Sequence, residues 1–204
     1  MKITKYEDRE EWLEARRGKI TGSRLKDLIV KRGTEMKKGY YELVAERLAL
    51  STDAEMPMDR GARLENEAIE TFVADTNIKI ITDLVIWERD DNNYIAISPD
   101  GYTADFTIAV EVKCLNSADH IKAFITQQVP KDYEEQVIQY FIVNDQLIRL
   151  YFVMYDPRMS VNSFFYLVVE RSEIEKKMKE YLTQQYDILA RVEATVARLT
   201  DNLF

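Results

Sequence analysis

Cysteine, proline and glycine are all scarce in this chain of 204 residues, which contains one, four and six of them. The single Cys114 excludes an intrachain disulfide and is typical of a reducing compartment, so we expect a cytoplasmic protein. No apolar run reaches membrane-spanning length and no apolar signal core follows Met1, so we expect neither a membrane span nor a signal peptide. Since no linker rich in proline, glycine or serine divides the chain, we expect a single domain over residues 1–204.

Positive charge is also in deficit, because 28 Lys and Arg stand against 36 Asp and Glu, a net charge of −8. This balance at first argues against a nucleic-acid partner. Residues 1–40, however, carry 12 basic and 7 acidic side chains, a net charge of +5, whereas the other 164 residues carry 16 and 29, a net charge of −13. A local basic footprint matters more than the total when phosphates are bound. An acidic surface that serves only solubility is the alternative, and charge alone leaves the partner open.

The most informative stretch is Ser98-Pro99-Asp100-Gly101, followed by residues 106–113. The second segment alternates with period two, which predicts a half-buried strand with Phe106, Ile108, Val110 and Val112 facing the core. Glu111 and Lys113 then share the opposite face, and Asp100 lies in a Pro-Asp-Gly turn just upstream. A turn carboxylate, a strand carboxylate and a lysine two residues later form the PD-(D/E)xK nuclease pattern.

The chemistry of such a site explains its residue types. Asp100, Glu111 and a main-chain carbonyl such as that of Val112 are hard oxygen ligands, which suit Mg²⁺. A bound ion activates water and offsets charge on a phosphate, and a second ion stabilises the leaving oxygen. Lys113 would orient the water or neutralise the transition state. The alternative is an ordinary hairpin edge with an exposed Glu–Lys pair, since short motifs also occur by chance.

Two further groups of side chains have both a structural and a functional interpretation. Glu65 lies on the apolar stripe of a predicted helix, where a carboxylate needs either a salt bridge or a place beside a metal cleft. Arg16 and Ser23 flank a predicted helix start, which is a natural anion site. A solvated arginine and a serine that only caps the helix explain the same residues equally well.

Periodicity and turn signals predict an α/β protein with a mixed sheet. A capping box at residues 172–175 opens a long amphipathic helix whose apolar stripe, Ile174 to Leu199, is expected to dock on the body. The predicted helices are 7–17, one after Ser23, 40–50, 60–74, 118–126, 131–143 and this last one. The predicted strands are 78–87, 94–97, 106–113, 147–155 and 164–169.

Several motifs in one order resemble the phage lambda exonuclease family, also called YqaJ-type viral recombinases, within the PD-(D/E)xK superfamily. The resemblance covers about residues 12–170. The motifs are W-x3-R-x-G-x-I-T-G-S from Trp12 to Ser23, Arg60-Gly61-x3-Glu65, Ser98-Pro99-Asp100-Gly101, Glu111-Val112-Lys113-Cys114, Gln136 and Tyr155-Asp156-Pro157-Arg158-Met159. It implies a restriction-endonuclease-like core, in which a central mixed sheet is flanked by helices.

The resemblance also implies an activity. Such enzymes use Mg²⁺, with two ions expected and Mn²⁺ as a substitute, to digest the 5′-ended strand of duplex DNA processively. They leave a 3′ single strand for an annealing protein, work as a trimeric ring on DNA ends that carry a 5′-phosphate, and are encoded by phages or prophages in bacterial hosts.

Site roles follow from the same resemblance, position by position. The implied metal ligands are Asp100, Glu111 and the Val112 carbonyl, with Lys113 as catalytic lysine and Glu65 supporting metal and water. The implied 5′-phosphate pocket consists of Arg16, Ser23, Ser98 and Gln136, and Trp12 and Met58 match the positions that split the terminal base pairs.

The sequence departs from the family in the segments that handle the DNA strand. Leu115 replaces a proline, residues 115–119 lack the arginine found there in lambda exonuclease, and Met58 and Arg60 replace a leucine and an aromatic residue. The resemblance therefore assigns no residue that grips the strand, and it places Trp12 and Met58 at the terminal base pairs without giving their contacts. Two other classes stay open: an endonuclease of the same fold, such as a restriction or junction-resolving enzyme, and a non-catalytic DNA-end-binding module.

Overall fold

A computed structural model of the chain describes residues 37–48 and 57–201. The helices predicted at 7–17 and after Ser23, and most of the basic N-terminal segment, lie outside these ranges. The chain forms two compact units. Among the described residues, the first consists of 37–48, 57–68, 113–128 and 154–165, and the second of 69–112, 129–153 and 166–201.

The described residues form α-helices and β-strands in a mixed order, as predicted. The helices are α1 (Lys38–Leu48), α2 (Pro57–Thr76), α3 (Ser117–Thr126), α4 (Glu134–Val143) and α5 (Arg171–Asp201), and a short 3-10 helix at Lys131–Tyr133 precedes α4. The strands are β1 (Trp87–Arg89), β2 (Asn92–Ile97), β3 (Gly101–Tyr102), β4 (Ile108–Lys113), β5 (Arg149–Tyr155) and β6 (Phe164–Glu170). No helix in the described ranges is both long and apolar enough to cross a membrane.

The strands form a two-stranded antiparallel hairpin, β1–β2, and a four-stranded mixed sheet in the order β3-β4-β5-β6. Helix α4 and helix α5 pack on the hairpin through a buried cluster. The members of that cluster are Ile95, Ile138, Ile142 and Val143, with Trp87, Ile97, Ile174, Met178, Tyr181, Leu182, Tyr186 and Leu189 against them. The second unit is therefore built around α4.

Strand β4 differs from the half-buried strand predicted over residues 106–113. It begins at Ile108, because a turn precedes it in which Phe106 adopts a φ of 59°. The Asp105 carboxylate stabilises this turn by accepting hydrogen bonds from the Thr103 hydroxyl and the Thr107 backbone N–H. Strand β4 has β3 and β5 along its two edges, and its residues 109–112 are buried on both faces, so Glu111 is in the interior rather than on an open face.

The strand predicted over residues 78–87 is wrong. Only Ile81 pairs there, through an isolated bridge to Tyr102, and strand β1 begins at Trp87. Leu84 and Ile86, whose apolar side chains suggested a strand, are largely exposed. Residues 78–86 have the composition of a strand, but among the described residues this segment pairs with its neighbour only at the Ile81 bridge.

The apolar stripe expected along the last helix is only partly confirmed. Ile174, Met178 and Tyr181 pack in the cluster, but Ile188 and Val192 are more than half exposed. Ile188 immediately precedes the packed residue Leu189. Successive side chains of an α-helix are about 100° apart around its axis, so the Ile188 side chain points away from the packed face. The side chain of Leu199 lies outside the described set.

The first unit has its own small core on α1 and α3. Tyr41 and Ala45 pack against Ala118, Ile121 and Met159. Beside this core Asp156, with a fully buried side chain, accepts hydrogen bonds from the Ser117 hydroxyl and the Arg158 guanidinium. The Asp-Pro-Arg motif near the end of β5 thus has a structural role, which is to fasten its loop to the start of α3.

Candidate functional site

Asp100 lies in the turn between β2 and β3 and is held against the next strand. Its Oδ2 accepts a hydrogen bond of 2.7 Å from the Val112 backbone N–H. Gly101 makes this turn possible, because a Cβ at this position would lie 2.5 Å from the Ile80 Cγ2 methyl. The turn therefore holds the Asp100 carboxylate against β4 at Val112, the residue that follows Glu111.

Glu111 is the buried carboxylate of the second unit, with 1% of its surface exposed. Its two oxygens accept hydrogen bonds from one helix: the Gln136 amide donates to Oε1 at 2.7 Å, and the Tyr140 hydroxyl donates to Oε2 at 2.5 Å. A buried carboxylate without partners would cost several kcal/mol, roughly 2–7 for a polar group and more for a charge. The two donors of α4 explain why this position tolerates glutamate.

Tyr140 connects the two carboxylates electrostatically. Its ring is fully buried, and burial raises the pKa of its hydroxyl well above 10, with the negative charges of Glu111 and Asp100 adding to the effect. The hydroxyl therefore stays protonated and donates at neutral pH. It also lies 3.5 Å from the main-chain oxygen of Ser98, so it faces both the turn and the strand.

Two further residues of the predicted catalytic site, Lys113 and Glu65, lie on β4 and on α2. Lys113 is the last residue of β4, two positions after Glu111, and is half-buried. Glu65 is a half-buried residue of α2. Within the described ranges no three His, Cys, Asp or Glu side chains are grouped to hold a metal ion.

The residues implied for the DNA end are only partly described. Trp12, Arg16 and Ser23 lie outside the described residues, and Met58 is part of α2. Ser98 is exposed at the turn, whereas the Gln136 amide contacts Glu111. The structure thus places Gln136 against a carboxylate implied as a metal ligand.

Sequence reasoning missed the contact between Tyr140 and Glu111. Tyr140 is absent from the predicted site residues, and the family resemblance implies Gln136 only for the 5′-phosphate pocket. The spacing of four residues, which puts both side chains on one side of a helix, was the available signal. Their common partner could not be predicted, because it depends on how α4 lies over β4.

The donor set fits a hard divalent cation. Asp100, Glu111 and the Val112 carbonyl offer oxygen atoms only, and Mg²⁺ is commonly held by one or two carboxylates together with water. Each Glu111 oxygen accepts one hydrogen bond from α4 and has a second lone pair, since a carboxylate has about four acceptor sites.

Comparison with known proteins gives independent evidence. The profile of the YqaJ-like viral recombinase domain matches residues 11–146, which confirms the resemblance seen in the motifs. No curated protein sequence matches the chain significantly. Among solved structures, the alkaline exonuclease LHK-Exo from Laribacter hongkongensis is 27% identical, covers 93% of this chain and 99% of its own, and superposes with a TM-score of 0.56. Its complex with dAMP gives the same values.

A phage-related exonuclease from Haemophilus somnus is 14% identical, with a TM-score of 0.46 over 84% of this chain and 94% of its own. The likeness to LHK-Exo confirms the predicted architecture, a mixed sheet flanked by helices in an exonuclease fold.

Proposed function

The chain belongs to the YqaJ-like viral recombinase domain family, and from this premise we propose that it is a metal-dependent exonuclease of lambda-exonuclease type. It digests the 5′-ended strand of duplex DNA in the 5′-to-3′ direction, processively, and leaves a 3′ single strand for recombination by annealing. The observation that carries the proposal is the pair of carboxylates at β4: Asp100 accepts a hydrogen bond from the Val112 N–H, and Glu111, the preceding residue of the strand, accepts one from the Tyr140 hydroxyl. A binding module has no need of a half-buried aspartate and a buried glutamate followed by a lysine.

Similarity to LHK-Exo supports the same activity, because the likeness spans 93% of this chain. That protein has been crystallised with dAMP. A deoxynucleoside 5′-monophosphate is the product expected when an exonuclease removes single nucleotides from a 5′ end.

Asp100, Glu111 and the Val112 carbonyl hold Mg²⁺ in this proposal, and Glu65 supports the metal and its water. When bound, a divalent ion lowers the pKa of water and offsets the charge on the phosphate, and a second ion acts on the leaving oxygen. Mn²⁺, with similar oxygen preferences, substitutes for Mg²⁺. Lys113 neutralises negative charge at the scissile phosphate or orients the attacking water.

The DNA end is recognised by its 5′-phosphate. Arg16, Ser23 and Ser98 contribute hydrogen bonds to it, and a bidentate arginine–phosphate contact is roughly twice as strong as a neutral hydrogen bond. Trp12 and Met58 separate the terminal base pairs. An enzyme of this kind acts in the cytoplasm of a bacterial host, together with a single-strand annealing protein.

Digestion of three duplexes of the same sequence tests the proposal: a linear duplex with 5′-phosphates, the same duplex with 5′-hydroxyls, and a closed circle. In Mg²⁺ we expect the linear duplexes to be shortened from their 5′ ends, the phosphorylated one faster, while the circle stays intact. EDTA should stop the reaction. Cleavage of the circle would instead indicate an endonuclease, and binding of ends without digestion would indicate a DNA-end-binding module.

A further inference from the structure

Helix α4 contributes two side chains to the candidate site through a single carboxylate. Gln136 and Tyr140 are four residues apart and therefore lie on the same side of the helix. The Gln136 amide donates to Oε1 of Glu111 at 2.7 Å, and the Tyr140 hydroxyl donates to Oε2 at 2.5 Å. Both oxygens of one buried carboxylate are thus fixed from one rigid element.

We infer that Gln136 and Tyr140 are positioning residues that hold Glu111 in its metal-binding orientation, an arrangement that we call the carboxylate clamp. The inference rests on the proposed function, in which Asp100 and Glu111 bind a divalent cation. It gives Gln136 a role at the metal rather than at the 5′-phosphate that the family resemblance implied.

The first argument for the clamp is rotational. A glutamate side chain ends in a torsion with broad, weakly defined preferences, so its carboxylate plane is not fixed by rotamer choice alone. One hydrogen bond would still allow the plane to turn about the bonded oxygen. Two hydrogen bonds, one to each oxygen, fix the plane of Glu111 and so fix the directions of its remaining lone pairs.

The second argument is that the clamp is itself held in place. The Tyr140 ring is fully buried and makes an edge contact with Trp87, with ring centroids 6.4 Å apart. Ile138 and Ile142, two positions before and after Tyr140 on α4, are buried in the cluster that contacts the β1–β2 hairpin. Packing therefore holds the Tyr140 ring, and the helix that carries both donors, in place.

The third argument concerns the other carboxylate. The Tyr140 hydroxyl also lies 3.5 Å from the Ser98 carbonyl oxygen, in the turn that carries Asp100. One hydroxyl therefore faces both segments from which the pair of carboxylates comes. Partners of this kind, which hold metal ligands without touching the metal, typically account for about 10–100-fold in metal affinity or activity.

The test removes the donors without removing the packing. Tyr140→Phe keeps the ring, and Gln136→Met keeps the length of the side chain but cannot donate. The matched control is Gln139→Met, because Gln139 is on the same helix but bonds Gln185 and the Ala96 carbonyl instead of Glu111. Tyr94→Phe controls for loss of a hydroxyl, since Tyr94 is 78% exposed.

Mn²⁺ affinity is measured by titration calorimetry on the full chain, and kcat and KM for linear duplex are measured separately. We expect Tyr140→Phe and Gln136→Met to weaken Mn²⁺ binding by about 10–100-fold and to lower kcat with KM for DNA unchanged. Raised Mn²⁺ concentrations should restore kcat, which they would not do for an unfolded variant. Both controls should stay within about twofold of the wild type.

Asp100→Asn distinguishes the clamp from the proposed function, because it changes the other proposed metal ligand and leaves Glu111, Gln136 and Tyr140 in place. If Asp100→Asn loses Mn²⁺ binding and activity but the folded variants Tyr140→Phe and Gln136→Met both bind Mn²⁺ as the wild type does, the clamp is wrong and the proposed function stands. If Asp100→Asn also binds Mn²⁺ and digests DNA normally, the metal site itself is wrong.

Discussion

At the scale of single residues, the site consists of groups whose partners set their chemistry. Glu111 is tolerated in the interior because Gln136 and Tyr140 donate to it, and Asp100 is placed by the Val112 N–H. The motif predicts Asp100 and Glu111 as metal ligands. It did not predict their environment, because alternation along a strand shows which side chains share a face but not what covers that face.

Tyr155 gives a prediction at this scale. The Tyr155 hydroxyl donates a hydrogen bond of 2.5 Å to the Glu67 carboxylate. Burial, and after it this carboxylate, raises the pKa of Tyr155 above its usual value of 10. A tyrosine with a raised pKa in the folded state stabilises the protein below the unfolded pKa, and this contribution is lost as pH rises above about 10. We therefore expect the free energy of unfolding to fall between pH 8 and pH 11.

Urea unfolding at these two pH values isolates the contribution of Tyr155. The Tyr155→Phe variant should lose less stability between them than the wild type, whereas Tyr94→Phe, changed at an exposed ring, should behave as the wild type. An identical pH dependence in Tyr155→Phe and the wild type would show that the hydroxyl of Tyr155 is as easily ionised in the folded protein as in the unfolded chain.

At the scale of elements, the sequence predicted segments with strong local signals and failed where the tertiary setting decides. Helices α2 to α5 and strands β2, β5 and β6 lie close to their predicted positions, because long amphipathic or apolar runs specify them. The predicted strand 78–87 failed because its neighbour pairs with it only at Ile81. The last helix begins at Arg171, and Glu173 accepts a hydrogen bond from the Glu170 N–H, so the cap lies two residues before the predicted box.

The turn that carries Asp100 gives the prediction at this scale. A methyl group at position 101 would lie 2.5 Å from Ile80 Cγ2, and a β-branched side chain has little freedom to move aside. Gly101→Ala should therefore lower the free energy of unfolding by about 1–3 kcal/mol, as overpacking does, and should reduce DNA digestion by displacing Asp100.

Removing the opposing methyl group provides the control. In the double variant Gly101→Ala with Ile80→Ala, the loss of stability should be smaller than the sum of the two single losses, because the clash is gone. Chemical denaturation of the four proteins gives this coupling directly. Strictly additive losses would mean that Gly101 is required for something other than its close approach to Ile80.

At the scale of the whole molecule, charge is divided unevenly along the sequence, with +5 in residues 1–40 and −13 in the rest. An acidic body repels DNA, yet processive digestion requires an enzyme that stays on its substrate. We propose that copies of the chain associate head to tail in a closed ring, a trimer by family resemblance, with the basic segments lining the channel. A lining that contacts only phosphates lets the duplex slide and makes binding strongly dependent on salt.

Sedimentation at micromolar concentration tests the ring. We expect a species of three times the chain mass of 24.0 kDa, together with DNA affinity that falls steeply as salt rises. A species of 24.0 kDa that still digests long duplexes processively would exclude the ring. In that case residues 1–40 would be a solvated basic surface of a monomer.

The most direct measurement of the central claim is the release of mononucleotides from a linear, 5′-phosphorylated duplex by the wild type and by Asp100→Asn in Mg²⁺. Asparagine keeps a carbonyl oxygen that can accept the Val112 N–H, so the turn stays docked while the charge for the metal is lost. We expect the folded variant to lose more than about 100-fold in rate, since loss of an outer partner alone costs about 10–100-fold. Digestion by Asp100→Asn at the wild-type rate, with the same dependence on Mg²⁺, would contradict the assignment of the carboxylate pair as the catalytic metal site.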